Sequence, residues 1–381
     1  AAPADTSPTG TEKTFTLPTQ DGEAGQILKT NGSGALSFTD NLSSGRNLFI
    51  NGAMTISQRG TSFSSSHNNN KYGLDRWHVV VPNTSATLVH SQESTGGPDG
   101  FKYWLKASPS VADTAIGGND YGFIEQKIEG YNLAPARFGY SDAKKLTLSF
   151  RFKTNKAGTY CWMFRNHAAN RNLIHEFTPV ADGSWQTISF TIPGDTGGSW
   201  NTENGIGLMC SLSVANGSNL HSSTTDSWFA GQYYHSTPNQ VNFLDSTSNE
   251  LGITGCQMEI GETATEFEHR NYGDELAKCQ RYFQFIGKEG TNAGVAAGFT
   301  TTESFYGYGC LPGGRMRAAP TIAVDGTLSH LGYTHAAAGF TATTLSNLGS
   351  GKDSYVIRII GNGTSTTNAG AYARMLNASS A

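Results

Sequence analysis

Five stretches of this chain alternate apolar and polar side chains with a period of two, the spacing that turns one face of a β-strand to a core and the other to water. In KKLTLSFRFK, Leu146, Leu148, Phe150 and Phe152 share one face, and Thr147, Ser149, Arg151 and Lys153 the other. The alternation recurs in TYCWMFRN (Tyr160, Trp162, Phe164), WQTISFTIP (Ile188, Phe190, Ile192), GIGLMCSLSV (Ile206, Leu208, Cys210, Leu212, Val214) and ITGCQMEI (Cys256, Met258, Ile260). Turn-forming clusters lie between them: TNKAG, ADGS, PGDTGGS and ANGS. Many half-buried antiparallel strands at this spacing predict a two-sheet sandwich wired as a jelly roll. A β-helix would need a sustained short repeat, which the sequence lacks.

Outside that region the pattern changes twice. Near the N-terminus, Gln26 to Thr30 and Ala35 to Thr39 are short runs separated by Asn31, Gly32, Ser33 and Gly34, the composition of a hairpin turn. A two-stranded hairpin buries too little to stand alone, so it is expected to pack on a neighbour or on copies of itself. In NYGDELAKCQRYF the period lengthens: Leu276, Cys279 and Phe283 sit at i, i+3 and i+7, with Asp274 placed to cap a short linking helix. Beyond it QRYFQFIG, AGFTTTESFYGYGC, PTIAVDG, ATTLSNLG, SYVIRIIGNG and AYARML read as strands between Gly-rich turns. The expected architecture is therefore all-β, with tandem β-sandwiches. It comprises a connector and oligomerisation segment (1–44), a jelly-roll sandwich (45–270), and the linking helix with a smaller C-terminal sandwich (271–381).

Composition narrows the class. Charged residues make up 15% of the 381 residues, against roughly 25% in an average domain, and 46 are glycine. With 15 Tyr and 20 Phe, this suits strands and tight turns rather than helices or disorder. The net charge of −4 is scattered without a basic patch, so nucleic acid is not an expected partner. No membrane span is expected and no export signal, and the chain reads as soluble. Cys161, Cys210, Cys256, Cys279 and Cys310 are widely spaced without a CxxC pair, and are expected as reduced thiols buried in cores.

Several stretches resemble structural proteins of tailed bacterial viruses, tail fibres above all: RNLFINGAMTISQRG, YGLDRWHV, FIEQKIEGYNLA, LTLSFRFKTNKAGTY, TIPGDTGGSWNTENGIGL, ITGCQMEIGETATEFEHRNYGDELAKCQRYFQ and MRAAPTI. LPTQDGEAGQILKTNGSGALSF resembles connector units of such fibres. The most specific is EIGETATEFEHRNYGDELAKCQRYF, which strings a strand end, a turn and a helix in one order. The resemblance implies jelly-roll domains like those that bind carbohydrate, a homotrimer, other virion proteins as partners, and a place in the virion after synthesis in the host bacterial cytoplasm. Related sandwiches also decorate capsids.

No G-x-S-x-G, H-E-x-x-H or phosphate-cradling glycine motif is present. Glu259, Glu262, Glu266 and Glu268 cluster in sequence; a solvated strand end and turn is preferred over a glycosidase-type acid/base pair. The ten histidines show no metal-ligand spacing. A structural Ca²⁺ would have Asp195 or Asp226 to draw on, but no cofactor is otherwise expected. Trp162 and Trp200 are expected in the core, and Phe305, Tyr306 and Tyr308 serve packing equally well. The run DSWFAGQYYHSTPNQVNFLD reads as a long loop bearing Trp228, Tyr233, Tyr234, Asn239 and Gln240, flat rings among amides, the composition of a glycan platform. The same rings could instead cap a core. The preferred function is a non-enzymatic tail fibre or receptor-binding component adhering to host cell-surface polysaccharide. The alternatives are a capsid decoration protein and a polysaccharide depolymerase.

Overall fold

Leu146, Leu148, Phe150 and Phe152 all lie in one core, as their period demands. The computed structural model describes residues 15–22, 26–40, 45–67, 69–168, 170–231, 234–285, 293–300, 304–321, 327–332, 340–362 and 370–376. The chain divides into two units, Ala1–Arg46 and Asn47–Ala381.

In the first unit, β1 (Gln26–Thr30) and β2 (Leu36–Asp40) pair antiparallel with Leu28 opposite Phe38. The Asn31 carboxamide oxygen accepts the N–H groups of Ser33 and Ala35 at 2.8 and 3.1 Å, while Gly32 and Gly34 take the positive φ of the turn. Ile27 and Leu28, neighbours and hence on opposite faces, are both exposed.

The second unit opens with strands β3 (Ser62–Ser65), β4 (Lys71–Tyr72), β5 (His78–Val80), β6 (Thr87–Glu93), β7 (Trp104–Val111) and β8 (Tyr121–Glu129). After a short helix α1 (Gly130–Leu133) come β9 (Leu146–Thr154), β10 (Tyr160–Arg165), β11 (Arg171–Phe177), β12 (Gln186–Ile192), β13 (Ile206–Asn216), β14 (Phe229–Ala230) and β15 (Leu251–Ile260). They form a seven-stranded sheet in the order β14-β11-β10-β13-β8-β5-β4 and a six-stranded sheet in the order β12-β9-β15-β7-β6-β3. Tyr160, Trp162, Phe164, Cys210, Leu212 and Ile124 of the first meet Leu148, Phe150, Phe152, Ile253 and Met258 of the second. The predicted two-sheet sandwich is thus present, with Trp162 and Trp200 in its core. In β15 a bulge falls at Gly255, whose φ is +60°; a Cβ there would sit 2.7 Å from the Phe101 ring, so glycine is required on both counts.

The linking helix α2 (Tyr272–Gln280) starts earlier than its sequence signal suggested: Asn271 occupies the N-cap, and Asp274 lies within the first turn rather than capping it. Cys279 packs with Ile50 and Ile56, and Leu276 covers them. The following residues through Phe285 are irregular, not the strand that QRYFQFIG suggested, because their side chains turn to a cleft described below. The C-terminal strands β16 (Ala293–Thr300), β17 (Ser304–Cys310), β18 (Thr327–Gly332), β19 (Phe340–Ser350), β20 (Ser354–Asn362) and β21 (Gly370–Leu376) were expected as a smaller sandwich. Their hydrogen bonding runs full circle, β16-β17-β20-β19-β18-β21, giving a closed barrel. Most of PTIAVDG lies outside the described residues. The five cysteines are free; Cys310, unlike the other four, is exposed.

Residues 47–58 form no strand; besides backbone bonds such as Leu48 to Met258 and Cys256 to Gly52, buried side chains satisfy their backbone. Asn47 donates to the Cys256 carbonyl at 3.0 Å and accepts from Phe49 and Met258. Gln126 brackets Ile50, accepting from its N–H at 2.7 Å and donating to its carbonyl at 2.9 Å. Asn51, at φ +60°, donates to the carbonyls of Ile56 and Asp75, accepts from the Ile56 N–H, and offers its own carbonyl to the Trp77 indole. Its N–H bonds Glu275 of α2. Arg270 completes the lattice, donating to the carbonyls of Asn47 and Phe49 and pairing with Glu268 and Glu275.

Two histidines are buried in the sandwich unit. His90 stacks on Phe63, and burial lowers its pKa to about 4. His235 lies against Tyr121 and Phe123, and burial, followed by the Arg165 charge, lowers its pKa to about 3. Because the unfolded chain takes up these protons near pH 6.5 and the folded chain does not, their contribution is complete above 6.5 and is lost as pH falls toward 4. Denaturant unfolding is expected to show stability dropping, between about pH 6 and pH 4.5, by about 1.4 kcal/mol per pH unit for each histidine. A His90→Phe, His235→Phe double variant is expected to flatten that slope.

Candidate functional site

The sheet faces decide which side chains are available to a ligand. On the seven-stranded sheet the residues pointing away from the sandwich core include Cys161, Met163 and Arg165 of β10, Ile174 and Glu176 of β11, Ser211 and Ser213 of β13, Glu125 and Lys127 of β8, and His78 of β5. The loop between β13 and Val241 lays Tyr234 and His235 on this face. Tyr234 packs on Cys161, Met163 and Ile174, burial raises the Cys161 thiol to about 11, and the His235 carbonyl accepts the Ser213 hydroxyl at 2.6 Å.

This is the loop whose composition suggested a glycan platform, and most of its described residues are engaged within the fold. Trp228 packs edge-on to Trp200 and Phe138, with centroids at 5.1 and 5.6 Å, and its indole N–H donates to the Pro193 carbonyl at 2.7 Å. Tyr234 meets Phe229 at 5.5 Å. Gln240 accepts from the Cys161 N–H at 2.9 Å and donates to the Val241 carbonyl. Asn239 is exposed, its amide on Glu176 at 3.1 Å. Tyr233 lies outside the described residues. Trp228 is partly buried against the core.

The other expectations resolve as follows. Glu259 is buried, accepting from the N–H and hydroxyl of Thr265, and Glu268 is buried against Arg270; both were expected in solvent, and the turn after β15 encloses them because it needs their oxygens as acceptors. Glu262 is exposed and paired with Lys145. Asp195 is held by Arg171 through two bonds of 2.7 and 2.5 Å, and Asp226 by His175 at 2.5 Å. Among the described residues, no group of three His, Cys, Asp or Glu is arranged to hold a metal ion. No helix among them is long and apolar enough to cross a membrane. In the barrel Tyr308 is exposed and Tyr306 lies beneath Arg358; the Phe305 side chain is outside the described residues.

The structure holds a cleft of about 300 Å³. Arg59, Tyr72, Asp75 and Arg76 line one wall, Lys127 and Glu129 of β8 the floor, and Tyr282, Phe283 and Arg317 the wall beyond α2. At its mouth the Tyr72 ring is exposed and stacks on His78 at 4.2 Å and 12°. His78 reaches Glu125 at 2.9 Å, and Lys127 reaches the same carboxylate at 3.0 Å. Burial raises the Glu125 pKa, but these two partners outweigh it and hold the carboxyl below its ordinary value. Lys127 is held above its own ordinary value, because Glu125 and Tyr72 outweigh the opposing effect of burial. Deeper in, Arg59 lies 3.4 Å over Phe283 and 3.8 Å from Asp75, and Arg76 lies 3.5 Å over Tyr282. Glu129 accepts from Arg281 at 3.0 and 2.5 Å and from the Tyr282 hydroxyl at 2.5 Å; these bonds overcome burial and lower its pKa, while burial pushes Tyr282 up to about 12.

No residue of this cleft was singled out from sequence for a binding role; Ile206, Cys279 and Phe283 were read only as positions in a strand and a helix. The usable signal was there: each lining segment except Gly205 and Ile206 offers a charge or an aromatic ring, and the segments fall within or beside stretches that resemble virion proteins. A second hollow of about 350 Å³ is lined by Lys153, Thr154, Asn155, Ser248 and Glu250 among others, but its polar groups are engaged within the fold. There Asn155 bonds Ser248 and Glu250, Thr154 bonds Tyr160, and Lys106 and Lys153 pair with Glu250.

No family model matches this chain, and no curated protein matches it. Solved structures do. The chain is similar to the enzymatically active domain of tailspike protein 4 of bacteriophage CBA120 (8% identity, TM-score 0.30, covering 59% of this chain and 23% of that one). It is also similar to a CBM4 structure (14%, TM-score 0.30, covering 55% and 98%). A third likeness is to the family 11 carbohydrate-binding module from Clostridium thermocellum in complex with a beta-1,3-1,4-mixed-linked tetrasaccharide (11%, TM-score 0.26, covering 55% and 100%). The chain thus spans less than a quarter of the tailspike chain. At these values no ligand or activity is transferred from any of the three.

Trp228→Ala is expected to lower stability by about 3 kcal/mol, as loss of a packed indole does, and the melting temperature by several degrees. Chemical denaturation of the purified variant checks it. An unchanged midpoint would return Trp228 to the surface.

Proposed function

We propose that this chain is a non-enzymatic adhesion component of a tailed bacterial virus, a tail fibre or receptor-binding protein whose sandwich binds host cell-surface glycan at the Tyr72 cleft. The observation that carries the reading is the exposed Tyr72 ring, backed by His78, at the mouth of a cleft rich in hydrogen-bonding groups. A sugar offers a flat C–H face and a rim of hydroxyls; the ring takes the first, and Lys127, which lines the cleft beside it, stands for the second. A ring already stacked on a neighbour also gives up little freedom on binding. The stretches that resemble virion proteins bring most of the cleft's residues together, which agrees with the viral setting.

The hairpin fits the same role. Ile27, Leu28, Phe15 and Leu17 are exposed apolar groups on a small sheet, suited to packing against copies of itself, and a homotrimer would multiply weak single-site affinity into firm attachment. Host synthesis and virion location belong to this proposal.

Tyr72→Ala is expected to weaken binding of the intact chain to host cells or host polysaccharide at least tenfold, about 1.4 kcal/mol, with little change in melting temperature. Binding equal to that of the parent chain would sink the assignment of this cleft.

A further inference from the structure

We infer that the Tyr72 cleft selects an acidic saccharide, and that Arg76 and Arg317 hold its oxyanion, the carboxylate of a uronic-type sugar or the phosphate of a phosphorylated one. The inference rests on the glycan-binding reading above and adds the class of sugar. Four cations line the cleft: Arg59, Arg76, Lys127 and Arg317. The carboxylates around it are already matched: Asp75 stands 3.8 Å from Arg59, Glu125 3.0 Å from Lys127, and Glu129 is gripped by Arg281 and Tyr282. Among the described residues, no carboxylate lies within ion-pair distance of Arg76 or Arg317.

Arg76 is the more exposed to this imbalance. It sits at φ +73°, donates one Nη to the Lys127 carbonyl and rests on the Tyr282 ring, yet its buried Nε has no hydrogen-bond partner. A desolvated guanidinium short of a partner is unfavourable, and a planar oxyanion accepting two parallel N–H bonds is the group that satisfies it. Arg317 is half-buried on the opposite wall, anchored by reciprocal bonds with Asn204 at 3.0 and 2.8 Å, so its charge is fixed in place. A volume of about 300 Å³ is at the small end for ligand sites and suits one sugar unit rather than a long buried chain.

The test is calorimetric titration of the full chain with glucose, glucuronate and glucose 6-phosphate, with circular dichroism melts of every variant. At least one charged sugar is expected to bind tenfold or more tightly than glucose, with affinity falling as salt rises. If it is glucuronate, the anion is a carboxylate; if glucose 6-phosphate, a phosphate. Arg317→Gln is expected to remove that preference, and Arg76→Gln to do the same if it folds. Equal binding of all three sugars, or a preference that survives in folded Arg317→Gln, overturns the inference. If glucose binds and depends on Tyr72 while the arginine variants change nothing, only the acidic selectivity fails. If none of the three sugars binds and host polysaccharide does not either, the glycan reading itself fails.

Discussion

Residues 47–58 touch β15 through only two backbone bonds, Leu48 to Met258 and Cys256 to Gly52, and buried side chains supply much of the rest of their hydrogen bonding. Asn47, Asn51, Gln126 and Arg270 each bond the backbone from inside the protein. Leaving one such buried group unsatisfied costs about 1–3 kcal/mol, so these side chains are as structural as the aromatic core. The same lattice fastens α2 to the sandwich, because Glu268 and Glu275 are both its members and Arg270's partners. Everything that converges on the cleft depends on that attachment: Arg59 follows the irregular segment, Arg76 and Tyr72 flank Asp75, and Tyr282 and Phe283 follow α2.

The cleft is thus a consequence of how three irregular segments are tied to a sheet edge. Gln58 shows the coupling directly. Its backbone N–H and side chain both bond the Asp75 carboxylate, and its side chain also donates to the Phe283 carbonyl at 3.0 Å. Holding Asp75 in this way sets its distance from Arg59, and leaves the cleft with cations that its own carboxylates do not balance. Aromatic rings beneath Arg59 and Arg76 supply partial compensation, since the face of a ring attracts a cation without neutralising it. Positive charge is retained at low local polarity, which is the condition under which an incoming anion is bound most strongly.

The long loop after β13 has the opposite role. By laying Tyr234 and His235 on the outer face of the seven-stranded sheet it covers part of that face, and Trp228 extends the core past the sheet edge. The proposed binding cleft lies away from that loop, where His78, Lys127 and Tyr72 stand.

Period-two alternation was sufficient to place β9, β10, β12, β13 and β15 and the faces they bury, because a strand's facing is a local property set by its own pleat. The hairpin turn and the linking helix were legible for the same reason, although the helix lies about three residues nearer the N-terminus than its capping and periodicity signals placed it. Closure of the C-terminal strands into a barrel depends on β16 pairing with β21, which are about 70 residues apart in the chain. Glu259 and Glu268 read as solvent-facing because nothing local marks a carboxylate as an acceptor for a buried turn. The composition of the loop around Trp228 was compatible with a sugar platform and with a core cap; its contacts with Pro193, Trp200 and Phe138 come from distant parts of the chain and could not be read from it. Arg59, Tyr72, Arg76, Lys127 and Arg317 are scattered over more than 250 positions, and their charge balance is a sum over neighbours that only the folded chain brings within a few ångströms.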